Sequence, residues 1–479
     1  MTKPQVALGM EQWCWPPAFD EGRLPSPDQP YWFPRRETMD PQQRNEAVLQ
    51  RIREVMGYAY ERAPFYRDKW SRSGIEPGDI RTFDDFERVP VVTKAELRAS
   101  QEACPPFGDY LCVGPEEVAR LHGTSGTTGR PTAFAISRQD WRSIAEAQAR
   151  VMWGMGVRPG DTVFIGAVFS LYMGSWGALA GAERLCTTAF PFGAGVAGQT
   201  ARAVNWLAQM RPDAFYGTPS YALRISEVAQ EMGTDPRDFG LRIMFFSGEP
   251  GASIPAVRRQ IELAYGAEVF DCGSMAEMTP WMNLGETSGH GGMLCWQDII
   301  YTEVVDPTTH RLVPFGGEGT PVYTHLERTS QPMIRLLSGD LTSWESGPSA
   351  CGRTYPVLPR GIYGRIDDMF IVRGENIYPS AIDEVVASLA AYGGEHRIII
   401  SRTDAMDALA VQVEYGRAVA GDEQAIAAFG ATAEKALQTV LGVRAKVVPV
   451  PPRTFERTDF KARRVIDERD LFRSLVDVT

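Results

Sequence analysis

From residue 138 to residue 273 the chain alternates between helix-like and strand-like stretches, and this alternation restricts the fold more than any other feature. "WRSIAEAQARVMW" predicts a helix, "DTVFIGAVF" a strand and "TARAVNWLAQM" a helix. "DAFYG", "LRIMFFSG" and "AEVFDCG" then read as strands, separated by the helical "PSYALRISEVAQEM" and "IPAVRRQIELAYG". Strands that alternate with helices imply a parallel sheet covered on its faces by those helices. In such sheets ligands collect at the carboxyl ends of the strands. Upstream, residues 41–63 space Val48, Ile52, Val55 and Met56 as one face of an amphipathic helix.

A chain of 479 residues is too long for one compact core, so two or more domains are expected. After residue 290 the texture changes to short β-like runs with Gly and Pro turns. "GRIDDMFIVRGENIYPSAIDEVV" opens a last unit that reads as small and α+β, with its boundary near Asp367.

Hydrophobic residues at 44% and charged residues at 23% fit an ordinary soluble globular protein. The net charge of -11 argues against nucleic acid or an anionic membrane as the main partner, because both need clustered positive charge. No apolar run reaches the roughly 18 residues of a membrane span. The first residues lack a basic start followed by an apolar core, so a secretion signal is not expected. Cys14, Cys104, Cys112, Cys186, Cys272, Cys295 and Cys351 are scattered and form no CxxC pair, which predicts reduced thiols in a cytoplasmic protein.

"GTSGTTGRPT" (Gly123 to Thr132) has the make of an anion-binding loop. Glycines let backbone amides approach phosphate closely, and hydroxyls add donors. It is not the common P-loop, which continues Gly-Lys-Ser/Thr; no lysine occurs in the stretch. The chain's lysines are Lys3, Lys69, Lys94, Lys435, Lys446 and Lys461. "FFSGEPGAS" follows a predicted buried strand, where a tight turn brings backbone beside a flat ligand. "DCGSMAEM" offers Glu277, which could hold Mg²⁺ together with phosphate oxygens, or be a solvated surface carboxylate. "IRLLSGDLT" offers Asp340, a turn residue or a ribose acceptor. For Lys461 in "TDFKARRVID" the residues alone favour a surface lysine in a basic tail.

In this order the motifs resemble the adenylate-forming acyl-CoA synthetases, and within them the phenylacetate–CoA ligase branch. "YERAPFYRDKW", "TSGTTGRPT", "GTPSYAL", "SGEP", "GDLT", "GRIDDMFIVRGENIYPSAIDEVV" and "FKARRVID" all look like that branch, over most of the chain. The resemblance implies an α/β fold. A large multi-layer N-terminal domain, 1–366, would combine mostly parallel sheets with a β-rich subdomain. A small mobile α+β C-terminal domain, 367–479, would turn about a hinge at Asp367. It implies ATP-dependent conversion of a carboxylic acid to acyl-AMP, then transfer to coenzyme A. Thr124, Ser125, Gly126, Thr127, Thr128 and Gly129 match the loop that holds the β- and γ-phosphates. Gly248, Glu249 and Pro250 match the turn beside adenine. Glu277 matches the Mg²⁺-associated glutamate, Asp340 the ribose-binding aspartate and Arg365 the arginine that assists it. Lys461 matches the lysine that contacts the acid and the α-phosphate; with Glu277 and Thr128 it makes up the expected catalytic set.

The same analogy puts the acid pocket in "AVFSLYMGSWG", with Phe169, Tyr172, Met173, Gly174 and Trp176, and near Tyr216, Gly217 and Phe246. These would form a flat apolar slot for an aryl or arylalkyl acid, or simply be core aromatics at the sheet edge. The sequence also departs from the family. Gly273 and Ala276 stand where a tyrosine and a threonine are usual, and Arg130 replaces a lysine. Structural zinc, which some members carry, is not expected, because Cys295, Cys351, His290 and Glu286 do not reproduce the cysteine pattern. Two other readings keep these residues: transfer of the acyl group to a carrier-protein pantetheine or an amine, and a non-catalytic nucleotide-binding relic. A homodimer through the large domain is a family arrangement on which the residues are silent.

Overall fold

The computed structural model describes residues 15, 17, 22–123, 132–194, 198–249, 251–273, 275–280, 283–285, 292–366, 368–372, 375–403, 406–457 and 464–469. The alternation read from the sequence is present, as helices Arg138–Gly154, Gln199–Met210, Pro219–Glu231 and Pro255–Tyr265 between strands Thr162–Ile165, Ala214–Gly217, Ile243–Phe246 and Glu268–Gly273. The helix starts carry their own chemistry. Ser137 and Asp140 form a capping box, and the Thr218 hydroxyl accepts from the Tyr221 amide.

One helix was not legible. Met173–Arg184 begins inside the stretch assigned to the acid pocket. Its glycines weaken helix propensity, so tertiary packing decides. A Cβ at Gly181 would lie 2.7 Å from Cβ of Gln148. The glycine therefore lets this helix lie close against Arg138–Gly154.

The main sheet runs in the order Val357–Leu358, Met293–Cys295, Asn283–Gly285, Glu268–Gly273, Ile243–Phe246, Ala214–Gly217, Thr162–Ile165, Thr188–Phe190. From Glu268–Gly273 to Thr188–Phe190 the strands are parallel, and the others add antiparallel. Strand Thr162–Ile165 lies between the two strands that follow it in sequence. The chain winds one way from it and then the other, which opens a crevice beyond its carboxyl end.

Both faces are covered. Phe164, Phe215, Met244, Phe246 and Val269 pack with Ala203, Leu207 and Ile225 of two helices. Val163, Ile165, Tyr216, Phe245 and Phe270 form the opposite face, with Met152 and Ala178. Each large side chain buried this way contributes roughly 1.5–3 kcal/mol.

Helix Pro41–Arg62 buries the predicted face and is capped by Asp40, whose Oδ1 accepts from the amides of Gln42 and Gln43. Just before it, buried Glu37 sits between Arg150 at 2.9 Å and Arg353 at 2.8 Å. Asp298 bridges Arg150 at 2.8 Å and Arg36 at 2.9 Å. A second, antiparallel sheet contains Ile300–Val305, Glu318–His325, Asp340–Ser343 and Gly364–Arg365.

Residues 370–445 supply a core of their own, built from Ile382, Val386, Ile398, Ile400, Val411, Val413 and Leu437 among others. Its sheet runs Ala445–Val450, Met406–Tyr415, Tyr392–Thr403, Val465–Asp467, covered by helices Pro379–Ala387 and Glu423–Leu441. The expected class, an α/β body with a β-rich part and an α+β C-terminal unit, is the class observed.

Candidate active site

The crevice beyond the parallel strands is lined by the turns that leave them. After Ile243–Phe246 comes Ser247; after Ala214–Gly217 comes Thr218; after Thr162–Ile165 comes the loop to Tyr172. Three hydroxyls meet there. Tyr172 Oη lies 3.1 Å from Tyr216 Oη and 2.9 Å from Ser247 Oγ, and Tyr216 Oη lies 2.7 Å from Ser247 Oγ. Gly174 makes the meeting possible. A Cβ there would collide with the Tyr216 hydroxyl and lie 2.6 Å from the Tyr172 ring.

Of the residues the sequence assigns to the acid pocket, Tyr172, Gly174 and Tyr216 thus lie together. Phe169 joins from the side, edge-to-face with Trp176 at 5.1 Å, while Trp176 Nε1 donates to the Ser170 carbonyl. Two expected members do not join. Phe246 points to the other face of the sheet, 6.2 Å from Phe215, because side chains alternate along a strand and Phe245 takes the Tyr216 side. Met173 packs with Ile136, Ile144 and Trp141 instead. The expected apolar set is therefore joined by a largely buried cluster of hydroxyls.

Sequence reasoning missed Ser247 and His122. Ser247 was signalled by its position, a small polar residue directly after a buried strand. His122 ends strand Val118–Gly123, immediately before the glycine- and threonine-rich loop. Its Nδ1 donates to the Leu171 carbonyl at 3.2 Å, and the Gly123 amide donates to the same oxygen at 3.3 Å. Burial lowers its pKa, so the ring is neutral. These two bonds tie the base of the loop to the acid-pocket turn.

The turn that the sequence assigns to adenine follows directly on Ser247 of the hydroxyl cluster. Gly248 has φ 98°, a left-handed conformation that favours glycine. Glu249 Oε1 accepts from the Ser220 amide at 2.8 Å, at the start of helix Pro219–Glu231. A carboxylate at a helix N-terminus is favoured by the helix dipole. On the second sheet Asp340 and Arg365 occupy paired positions of adjacent strands, and the Asp340 amide donates to Ser338 Oγ.

Glu277 is buried on the turn 275–280, and among the described residues no cation lies within ion-pair distance of it. Such a carboxylate fits Mg²⁺, which binds through one or two carboxylates and phosphate oxygens. Cys295 is fully buried and its thiol is pushed up to about 12 by burial. Cys351 Sγ lies 3.0 Å from Ser349 Oγ. Thr124, Ser125, Gly126, Thr127, Thr128, Gly129, Pro250, Asp367 and Lys461 lie outside the described residues, as do His290 and Glu286. Among the described residues no helix is long and apolar enough to cross a membrane.

Known proteins match this chain along nearly its whole length. The AMP-binding enzyme profile matches residues 78–323, and the AMP-binding enzyme C-terminal domain profile matches residues 374–469. Phenylacetate-coenzyme A ligase of Thermus thermophilus is 32% identical over 451 residues, covering 91% of this chain and 99% of that protein. The crystal structure of a 2-hydroxyisobutyryl-CoA ligase in its postadenylation state, with 2-HIB-AMP, is 61% identical and covers 98% and 99% of the two chains at a TM-score of 0.93. The same ligase in its thioesterification state, with 2-HIB-AMP and CoA, superposes at 0.75 with the same coverage.

Proposed function

Since the chain belongs to the AMP-binding enzymes, in their phenylacetate–CoA ligase branch, we propose that it converts a short hydroxylated aliphatic carboxylic acid into its coenzyme A thioester through an acyl-AMP. The observation that carries the acid's identity is the cluster of Tyr172, Tyr216 and Ser247 hydroxyls. In such a ring each oxygen donates once and keeps acceptor capacity. A substrate hydroxyl can enter it, donating to one member and accepting from another. A phenyl ring offers the cluster neither a donor nor an acceptor. The 61% identity to a ligase of 2-hydroxyisobutyrate supports the same class.

The chemistry follows from the acid. A carboxylate is a poor electrophile, and its charge repels nucleophiles. Joining it to AMP supplies a leaving group, and the enzyme's work is positioning and charge stabilisation. We assign the 124–129 loop to the β- and γ-phosphates and Gly248 with Glu249 and Pro250 to the adenine side. Asp340 with Arg365 takes the ribose, and Lys461 takes the acid and α-phosphate. Glu277 would hold Mg²⁺, which neutralises phosphate charge when bound. The thiol of coenzyme A then displaces AMP; a carrier-protein pantetheine would present the same thiol.

An arylacetic acid is the second reading, favoured by the Phe169–Trp176 pair and the phenylacetate–CoA ligase relatives. Acid-dependent ATP–pyrophosphate exchange separates the two. 2-Hydroxyisobutyrate should exceed both isobutyrate and phenylacetate by about tenfold or more in kcat/KM, in line with the selectivity of sites built to pair a substrate hydroxyl. Preference for phenylacetate would reverse the assignment, and thioester formation on adding CoA would identify the acceptor.

A further inference from the structure

Resting on that ligase reading, we infer that ion pairs from Arg453 and Arg457 to Glu231 and Glu227 form a latch. The latch holds the C-terminal unit in the pose used for adenylation.

The arginines lie on the strap that leaves strand Ala445–Val450 and runs directly into residues 458–463. Arg457 is anchored at its root. Its Nη2 donates to Glu414 Oε2 at 2.7 Å and to the Gly393 carbonyl at 3.2 Å. Glu414 is fully buried, and its other oxygen accepts from the Phe455 amide at 2.9 Å. From that anchored position Arg457 Nε reaches across to Glu227 at 3.5 Å. Arg453, at φ 66°, pairs with Glu231.

The receiving side is unusual. Glu227 and Glu231 occupy the last turns of helix Pro219–Glu231, one turn apart. Carboxylates at a helix C-terminus oppose the helix dipole and are unfavourable unless cations neutralise them. Within the helix Arg224 offsets Glu227 at 3.1 Å; Glu231 takes its cation from Arg453. A third pair, Arg360 to Glu384 at 3.1 Å, spans the same two parts of the chain near the expected hinge. The arrangement is releasable. Arg453 is 60% exposed and Arg360 55% exposed, and exposed pairs are weak and screened by salt. A lid that must leave for the second half-reaction needs contacts of that strength. The relative's postadenylation structure superposes on this chain at 0.93 and its thioesterification structure at 0.75, so the present arrangement is close to the first.

The test reverses charge on the helix, leaving the anchored Arg457–Glu414 pair intact. At low salt, Glu227→Lys with Glu231→Lys should slow acid-dependent pyrophosphate exchange by about fivefold, while thioester formation from supplied acyl-AMP stays the same or rises. The swap Arg453→Glu with Glu231→Arg should recover most of the rate, and added salt should shrink the difference. Equal effects on both half-reactions, or no effect on either, would overturn the latch. Spin labels at exposed Leu263→Cys and Val440→Cys, with Cys104 and Cys186 replaced by serine, give a readout independent of activity. The double variant should broaden the distance distribution at low salt. An unchanged distribution rejects the latch, whatever the activity. A broadened one in a chain that exchanges with no acid upholds the latch and rejects the ligase reading.

Discussion

Asp340 and Arg365 stand opposite each other in register, across the antiparallel pair formed by Asp340–Ser343 and Gly364–Arg365. The backbone fixes their spacing, so neither depends on a flexible loop to meet a ribose. Asp340→Ala should raise the KM for ATP about tenfold or more, the size expected when a charged hydrogen-bond partner is lost. Arg365, on the exposed side of the pair, should cost less. Initial rates over an ATP titration, with a thermal melt to show an unchanged Tm, check both. A KM that does not move would separate this strand pair from nucleotide binding.

Gly174→Ala tests the hydroxyl cluster sterically. The added methyl has no room between the Tyr172 ring and the Tyr216 hydroxyl. Overpacking of this kind costs about 1–3 kcal/mol. The expected result is a lowered Tm together with a KM for the acid raised more than the KM for ATP. Tyr216→Phe, which removes an oxygen without adding bulk, should lower the preference for a hydroxylated acid over its deoxy analogue and spare the Tm.

Lys461→Ala separates the two half-reactions. If Lys461 contacts the acid and the α-phosphate, exchange should fall by about 10²–10³, the cost of removing one donor to developing charge. Thioester formation from supplied acyl-AMP should persist. Equal loss in both would assign Lys461 to folding or to the second step.

A pH series tests the partly buried Glu327. Burial pushes its carboxyl up to about 7 from an ordinary 4.5, against the opposing pull of Arg36 at 3.8 Å. A carboxyl held higher in the folded than in the unfolded chain loses stability as pH climbs through that interval, with the full cost present above it. Glu327→Gln should therefore gain Tm relative to the parent between pH 5 and pH 8, by a few degrees. Asp298 does not confound the series. Although its burial acts the other way, Arg150 and Arg36 hold it at about 2, outside the range scanned. A pH-independent difference would show that Glu327 ionises normally.

The parallel sheet was legible because helical and strand periods alternate cleanly from Arg138 to Gly273, and two of the helix starts carry side-chain caps, Ser137 and Thr218. Helix Met173–Arg184 was not, since its glycines serve packing against Gln148 and carry no local helical signal. The same holds within the site. Tyr172, Tyr216 and Gly174 could be named from the motif stretch, but their convergence on Ser247 depends on strand order. Phe246 was misplaced for a period-two reason. It and Phe245 differ by one position, which decides the face, and identity alone does not say which of two adjacent phenylalanines faces the crevice. Met173 was lost to the same missed helix, whose turn carries it toward Trp141.

The buried carboxylates and guanidiniums around Glu37 have a consequence for the order of assembly during synthesis. Glu37 bonds residues 113 and 316 positions away, and Arg36 one 262 positions away. Contacts between such distant positions form late, after the loops between them have closed. On the ribosome, the stretch holding Arg36 and Glu37 emerges long before Arg353 is made. Arg150 and Asp298 are made earlier and pair with it first, and Arg353 joins last. The Arg353 arm closes last, so a chain truncated before residue 353 would keep a layered core and the pairs of Glu37 with Arg150 and Arg36 with Asp298, yet lose one of the two cations on Glu37.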